Sequence, residues 1–290
     1  LLSDTYPDAR VNFIENTYNT GSQFMERMMQ AVRNARQARE DRDFITPTPV
    51  PALVPGNEKN SINYERAQTV TLDSAVLHEN RILTGAEPDI FSESYRLLRT
   101  QILHRFRKNK WNVLAVTSPG GGEGKTLTAI NLAITMAREV SLSVLLVDAN
   151  MRQSRMLKYF GLADRKGLSD YLTDNIPVED LLVQPDIYND LVILPGGQPL
   201  DNSAELLNSP KMGQLVSKMR AGNDNRIIIF NLPSVLTTTD ALAFSPQVDA
   251  ALLVIEDGVT TKSDIERTMG RLDRTSIVGT VLNKSRSSMS

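Results

Sequence analysis

The segment that most constrains this chain is a glycine-rich turn between an apolar strand and an amphipathic helix, in NVLAVTSPGGGEGKTLTAINLAITMAR at residues 112–138. The turn ends in Gly124, Lys125 and Thr126. Its N–H groups can point at phosphate oxygens, the lysine can reach the β- and γ-phosphates, and the threonine hydroxyl can ligate Mg²⁺. Pro119 stands where the strict pattern has glycine. The sequence therefore predicts a deviant Walker A phosphate loop.

An incidental glycine-rich turn is the alternative interpretation, but the strand before the turn and the helix after it favour phosphate binding. The turn and the start of the helix are thus candidate nucleotide contacts. These residues are Gly120, Gly121, Gly122, Glu123, Gly124, Lys125, Thr126 and Leu127.

Beyond residue 81 apolar runs alternate with helical segments, which is typical of an α/β fold with a doubly wound, mostly parallel sheet. Continuous apolar runs suit strands buried on both faces, and ligands bind at the carboxyl ends of such strands. With the phosphate loop, this pattern predicts a P-loop NTPase domain behind an N-terminal helical extension. The predicted strands are 113–117, 144–147, 191–194, 227–230, 251–255 and 277–282.

Two composition changes divide the N-terminal part of the chain. Residues 22–42 carry apolar side chains at helical spacing and five arginines, which predicts a basic amphipathic helix. We favour docking on its own domain or on a second copy over membrane-surface binding. The prolines of ITPTPVPALVPG predict an extended linker. We therefore expect an N-terminal segment at 1–43, a Pro-rich linker and flexible region at 44–80, and the ATP-binding domain at 81–290.

Composition excludes several function classes. The 290-residue chain has a net charge of −2, which argues against a nucleic-acid-binding surface. It has no cysteine, so disulfides and thiolate metal sites are excluded. No apolar run is long enough to span a bilayer, and we expect a cytoplasmic protein without a transmembrane segment. Because the chain begins with Leu1, the completeness of its N-terminus stays open.

Candidate metal and catalytic side chains follow two later strands. VLLVDANMRQSR places Asp148 at a strand end with Asn150 and Arg152 just beyond, and alternate residues of an extended chain share a side. RIIIFNLPSVL places Asn231 where phosphate-loop enzymes usually carry a carboxylate near Mg²⁺. An aspartate at a strand end is often only a helix cap, but the phosphate loop before Asp148 favours a chemical role.

The chain resembles the bacterial tyrosine kinases (BY-kinases) of capsule and exopolysaccharide biosynthesis, in particular the free-standing autokinases of exopolysaccharide and exosortase loci. The resemblance covers residues 88–286 and rests on ESYRLLRTQI, VTSPGGGEGKTLTAINLA, VLLVDANMR, KYFGL, GLSDYL, LPGGQPLDNSAELLNSPKM, IIIFNLPSVL, DALAF and GTVLNKS. It implies an ATP- and Mg²⁺-dependent tyrosine autokinase that regulates polysaccharide export or polymerisation. It also implies a membrane partner of the polysaccharide co-polymerase or chain-length-determinant type, which would hold the protein peripherally at the inner membrane.

The resemblance also implies roles for individual residues. The implied catalytic residues are Lys125, Asp148 and Arg152, the implied metal ligands are Thr126, Asp148 and Asn231, and the implied adenine contact is Asn283.

A helix ahead of the loop carries Glu93, Arg96 and Arg99 at three-residue spacing. This spacing puts the three side chains on one face, where they can pair internally or with another subunit. They match the Glu-x-x-Arg-x-x-Arg contact of the family, which implies a ring-like homo-oligomer.

Three positions depart from the family pattern, which usually has aspartate at Asn150 and Asn231 and proline at Ser234. An amide oxygen can ligate Mg²⁺ but supplies no charge, so weaker metal binding and slower phosphoryl transfer are expected. No tyrosine follows Tyr188, so the family's C-terminal tyrosine cluster is absent. An acceptor should be flexible enough to enter the active site of another subunit. Because Tyr6 and Tyr18 lie in the polar segment ahead of the basic helix, we expect one of them to be the main acceptor.

The departures leave two functions open. The motifs present favour the kinase, whereas the missing carboxylates and tyrosines favour a nucleotide-binding regulator that controls assembly of a membrane polysaccharide machine. A partitioning ATPase is disfavoured, because Gly120 stands where those proteins carry a lysine.

Overall fold

The structure is a computed structural model that describes residues 10–14, 62–84, 90–221, 223 and 225–285, the first of these ranges as backbone. The described strands form a single nine-stranded sheet. They are β1 (Arg10–Ile14), β2 (Gln68–Val70), β3 (Val113–Thr117), β4 (Ser143–Asp148), β5 (Val183–Pro185), β6 (Leu191–Leu194), β7 (Arg226–Asn231), β8 (Ala250–Glu256) and β9 (Ser276–Ser285). Their order across the sheet is β1-β9-β8-β3-β7-β4-β6-β5-β2.

The centre of the sheet is parallel, which confirms the predicted fold class. β3 lies between β7 and β8, and β4 lies between β7 and β6, all in parallel register. Among the described pairs, β1 with β9 and β5 with β6 run antiparallel. Each of the six predicted strands is confirmed to within three residues at either end.

Helices cover both faces of the sheet. They are α1 (Ser74–Glu79), α2 (Ile90–Asn109), α3 (Lys125–Ala137), α4 (Met156–Tyr159), α5 (Leu168–Asp174), α6 (Ser203–Leu207), α7 (Pro210–Arg220), α8 (Asp240–Phe244) and α9 (Lys262–Arg271). The first four bury apolar side chains on one face, and the last five do so on the other. Along β3, Leu114 and Val116 join the first core, and Val113 and Ala115 join the second. Burial on both faces explains why these strands read as continuous apolar runs.

The predicted boundary at residue 81 is wrong for residues 62–80, which belong to the folded domain. β2 pairs in parallel with β5, and α1 begins after Asp73, whose side chain accepts the N–H of Ala75 at 2.8 Å. Leu77 of this helix is 0% exposed and packs in the core. A three-residue strand and a six-residue helix are too short to show a hydrophobic period.

At the opposite edge of the sheet, β1 was not predicted. It runs antiparallel to β9, with Arg10 opposite Ser285 and Ile14 opposite Thr280. The predicted basic helix at 22–42 and residues 44–61 of the predicted linker and flexible region lie outside the described residues. None of the helices described is both long and apolar enough to cross a membrane.

Candidate active site

The phosphate loop connects β3 to α3, and its backbone requires glycine at two positions. Gly122 has a φ of 83° and Gly124 a φ of 90°, in the left-handed region that glycine adopts most readily. A Cβ on Gly124 would stand 1.9 Å from Asn283 Nδ2. Gly124 precedes α3, and no described side chain caps that helix, which leaves its first-turn N–H groups for a ligand. The geometry fits a phosphate cradle.

Gly120 has both polar backbone groups engaged within the protein. Its N–H donates to Glu123 Oε2 at 2.8 Å, and its carbonyl accepts hydrogen bonds from the Ser118 and Ser234 hydroxyls. The Gly120 amide is therefore engaged within the protein in this structure, and a nucleotide contact by Gly120 stays a prediction. Leu127 likewise packs its side chain against the core.

Glu123 and Asn283 hold the phosphate loop against the end of the sheet. The Glu123 side chain is buried, accepts a hydrogen bond from the Thr260 hydroxyl, and has its pKa raised by that burial. Asn283 Nδ2 donates to the Glu123 backbone carbonyl at 2.9 Å. Both side chains thus position the loop, and an adenine contact by Asn283 stays a prediction.

Thr126, Asn231 and Asp148 are joined by hydrogen bonds at the carboxyl edge of the sheet. Asn231 Nδ2 donates to Asp148 Oδ1 at 2.9 Å, and Asn231 Oδ1 accepts from the Thr126 hydroxyl at 3.4 Å. The β4–β7 register sets Asp148 opposite Asn231, which brings these sequence-distant residues together.

This group of side chains fits Mg²⁺. It offers a hydroxyl, an amide carbonyl and a carboxylate, which are the oxygen ligands that hard cations prefer. Within the described ranges no three His, Cys, Asp or Glu side chains converge on a possible metal position. Among Thr126, Asn231 and Asp148, a bound Mg²⁺ would find a single carboxylate, that of Asp148, and would depend on phosphate oxygens for further negative ligands.

Asp148 is completely buried and has both oxygens engaged. Besides Asn231, its carboxylate accepts the Ser154 hydroxyl at 3.0 Å and the N–H groups of Asn150 at 3.3 Å and Met156 at 3.4 Å. Burial raises the pKa of this carboxyl, and the hydrogen bonds from Asn231 and Ser154 oppose that rise. The half-buried Asn150 therefore contributes its backbone to the site.

Lys125 interacts electrostatically with Asp148 and with Glu123 of the loop. Burial lowers the pKa of its ammonium group, while the charges of Asp148 and Glu123 raise it and the charge of Arg155 lowers it. Sequence reasoning missed Ser154 and Arg155. The one available signal was their place in the MRQSR segment, which begins three residues after Asp148.

Arg152 lies in the same segment and pairs with Asp240 at 3.2 Å. Arg152 is thus near the strand end that carries Asp148, as expected. Its charged partner Asp240 was not identified as functional from the sequence.

Two of the three residues of the predicted subunit contact pair with each other, and the third contacts a different part of the chain. Arg96 pairs with Glu93 at 3.2 Å on the exposed face of α2. Arg99 instead donates to the Thr135 carbonyl at 3.2 Å and pairs with Glu139 at 3.4 Å. The internal pairing that the spacing allowed therefore occurs, and a contact with a second subunit stays a prediction.

The loop, the Thr126 hydroxyl and Asp148 at the carboxyl edge of a parallel sheet define a nucleotide-binding protein of the P-loop class. The family model described as the CobQ/CobB/MinD/ParA nucleotide binding domain matches residues 114–290.

Similarity to individual proteins identifies the family within the P-loop class. The tyrosine-protein kinase YwqD of Bacillus subtilis is 31% identical over 208 residues, covering 71% of this chain and 86% of the relative. The tyrosine-protein kinase CpsD of Streptococcus pneumoniae is 32% identical over 195 residues, covering 66% and 83%. The kinase domain of the Escherichia coli tyrosine kinase ETK superposes with a TM-score of 0.63 at 25% identity, covering 77% and 91%. The chain belongs to the bacterial tyrosine kinases, a group with the CobQ/CobB/MinD/ParA type of nucleotide-binding domain.

Proposed function

We propose that this chain is an ATP- and Mg²⁺-dependent protein-tyrosine autokinase that regulates exopolysaccharide or capsule biosynthesis or export. The observation that carries the proposal is the hydrogen-bonded series Thr126–Asn231–Asp148 at the end of an open phosphate loop. The similarity to proteins named tyrosine-protein kinases supports the reaction type.

Phosphoryl transfer depends mainly on positioning and on neutralising charge. In this proposal the first-turn N–H groups of α3 and the Lys125 ammonium would bind the ATP phosphates. Thr126, Asn231 and Asp148 would hold Mg²⁺, which would offset phosphate charge. The Asp148 carboxylate accepts the proton of the incoming tyrosine hydroxyl.

A nucleotide-binding regulator with little kinase activity is the second candidate. Asp148 already accepts hydrogen bonds from Asn231, Ser154 and two backbone N–H groups, so acting as a base requires it to give up one of them. The neutral amide at Asn231 also leaves the metal with less charge than a carboxylate would supply.

The acceptor tyrosine is proposed to lie near the N-terminus. The five described tyrosines, Tyr64, Tyr95, Tyr159, Tyr171 and Tyr188, are all buried or half-buried. Burial raises the pKa of Tyr188 to about 12, which makes loss of its hydroxyl proton harder.

Tyr6 and Tyr18 lie outside the described residues and are the two proposed acceptors.

Mass spectrometry of the purified protein after incubation with ATP and Mg²⁺ tests the proposal. The autokinase should form phosphotyrosine at Tyr6 or Tyr18, and the Tyr6→Phe and Tyr18→Phe variants should identify which. Absence of phosphotyrosine from a protein that binds ATP would support the regulator. Phosphopeptides confined to the α/β domain would contradict the proposed acceptors.

The remaining assignments extend the kinase proposal. A ring-like homo-oligomer would use Glu93, Arg96 and Arg99, and a membrane polysaccharide co-polymerase or chain-length-determinant protein would place the cytoplasmic chain at the inner membrane. No nucleic-acid partner is proposed, since the net charge of −2 gives no basis for one.

A further inference from the structure

Asp240, the first residue of α8, joins two other parts of the chain through a fully buried carboxylate. Its Oδ1 accepts a hydrogen bond from Arg152 Nε at 3.2 Å, and its Oδ2 accepts one from the Ser203 hydroxyl. Asp240 and Ser203 are both 0% exposed. A buried carboxylate is costly unless charge and hydrogen bonds satisfy it, and here both oxygens are satisfied.

The three residues follow three neighbouring strands. Arg152 follows β4, Ser203 begins α6 after β6, and Asp240 begins α8 after β7. β7, β4 and β6 are adjacent in the sheet. Because Asp148 ends β4 and Asn231 ends β7, the Asp240 carboxylate fixes the segments that follow both residues of the candidate metal site.

Arg152 keeps part of its guanidinium available. Its side chain is 33% exposed, and within the described ranges Nε–Asp240 is its one hydrogen bond. A guanidinium held through Nε leaves its two terminal nitrogens as a planar fork, which matches the oxygens of a phosphate.

We propose that Asp240 is a positioning residue that orients the Arg152 fork toward the terminal phosphate of a bound nucleoside triphosphate. The proposal rests on the proposed function for the identity of that phosphate. Ser203 holds the second carboxylate oxygen and so fixes the plane of the Asp240 carboxylate. The fork adds a cation at the phosphate that a triphosphate has and a diphosphate lacks.

Calorimetric affinities for ADP and for a non-hydrolysable ATP analogue, both with Mg²⁺, test this assignment without requiring catalysis. Arg152→Ala and Asp240→Asn should each weaken analogue binding about ten-fold, equivalent to about 1.4 kcal/mol, while ADP binding changes little. Ser203→Ala should act in the same direction with a smaller loss. The Arg152→Ala/Asp240→Asn double variant should bind the analogue no more weakly than Arg152→Ala, because both changes act through one fork.

Asp249→Asn is the matched control. Asp249 also pairs with an arginine, Arg220 at 3.0 Å, but it lies directly before β8, at the amino edge of the sheet. This variant should leave the ratio of analogue to ADP affinity unchanged, whatever it does to stability.

Three results would overturn the proposal: an unchanged affinity ratio in a folded Asp240→Asn protein, an equal loss for both nucleotides, or additive losses in the double variant. If Asp240→Asn does not fold, Arg152→Lys provides the test, since lysine keeps the charge but not the fork. Full analogue affinity in that variant also overturns the proposal. Absence of phosphotyrosine in the wild type would contradict the proposed kinase activity. The ratio of analogue to ADP affinity would still test the role of Asp240.

Discussion

Restoring the missing carboxylates should strengthen metal binding and raise autophosphorylation. In the Asn150→Asp/Asn231→Asp variant, residue 231 would place a second carboxylate against Asp148, where the amide now donates at 2.9 Å. Two unit charges about 4 Å apart repel by about 4 kcal/mol at an effective dielectric constant of about 20. Without metal, the pair should therefore bind a proton or lose stability.

Bound Mg²⁺ should remove the repulsion between the carboxylates at positions 148 and 231, because both can then face the cation. We expect a ten-fold or greater rise in autophosphorylation, which needs only about 1.4 kcal/mol of transition-state stabilisation. The Mg²⁺ concentration for half-maximal activity should fall. In metal-free buffer the variant should melt below the wild type by about 2–4 °C for each kcal/mol lost, and this difference should shrink at acid pH, where one carboxyl of the pair is protonated.

Phosphotyrosine formation and melting temperature, each measured across a Mg²⁺ titration, test this reasoning. Asn189→Asp is the control, because it adds one negative charge, half of what the double variant adds, at an exposed position before the amino end of β6. An unchanged activity and metal dependence in the double variant would refute the placement of Asn150 and Asn231 beside the metal. Activity that appears only in the double variant would favour the regulator for the natural chain.

Three further changes test separate parts of the molecule. Lys125→Met should keep the fold and lose most ATP affinity, and unchanged calorimetric binding would remove the phosphate-cradle assignment. Arg96→Ala with Arg99→Ala should convert any oligomer to a monomer, and an unchanged oligomer mass by light scattering would contradict that contact. Because burial raises the pKa of Glu123 above 4.5, its contribution to stability should fall as pH rises from about 4.5 through the folded pKa. Because the Glu123→Gln side chain cannot ionise, the melting temperature of this variant should rise relative to that of the wild type over that pH window. A melting-temperature difference that does not change with pH would contradict ionisation of Glu123 in a buried position.

The central sheet was predictable from sequence because its strands are buried on both faces. Val113–Thr117 and Leu191–Leu194 read as apolar runs of the length that strands have. β2 and β5 have three residues each, and β1 alternates polar and apolar residues at an edge. Short and edge strands depend on tertiary pairing. β2 and β5 are too short to show a hydrophobic period, and the five-residue alternation of β1 is a weak signal by itself.

The residue types of the site were predictable where backbone geometry sets them. Gly124 needs a positive φ, and Asp148 and Asn231 end adjacent parallel strands. The motif and the strand positions were therefore sufficient to predict these residues. The side chains that hydrogen-bond to the phosphate loop were not predictable. Thr260 and Ser234 reach the loop from parts of the chain more than 100 residues away in sequence, and their hydroxyls carry no pattern of their own.

The neutral amide at Asn231 determines how the site behaves without metal. Two carboxylates at this place would need a proton or a cation between them. The amide instead donates to Asp148 and accepts from Thr126, so these side chains satisfy one another before any ligand arrives. Because Asp148 is then the one carboxylate among them, we expect phosphate binding to meet less repulsion and to depend less on Mg²⁺. We also expect the amide to slow phosphoryl transfer. Retention of the nucleotide would then be favoured over its turnover, which is the property that a regulator requires.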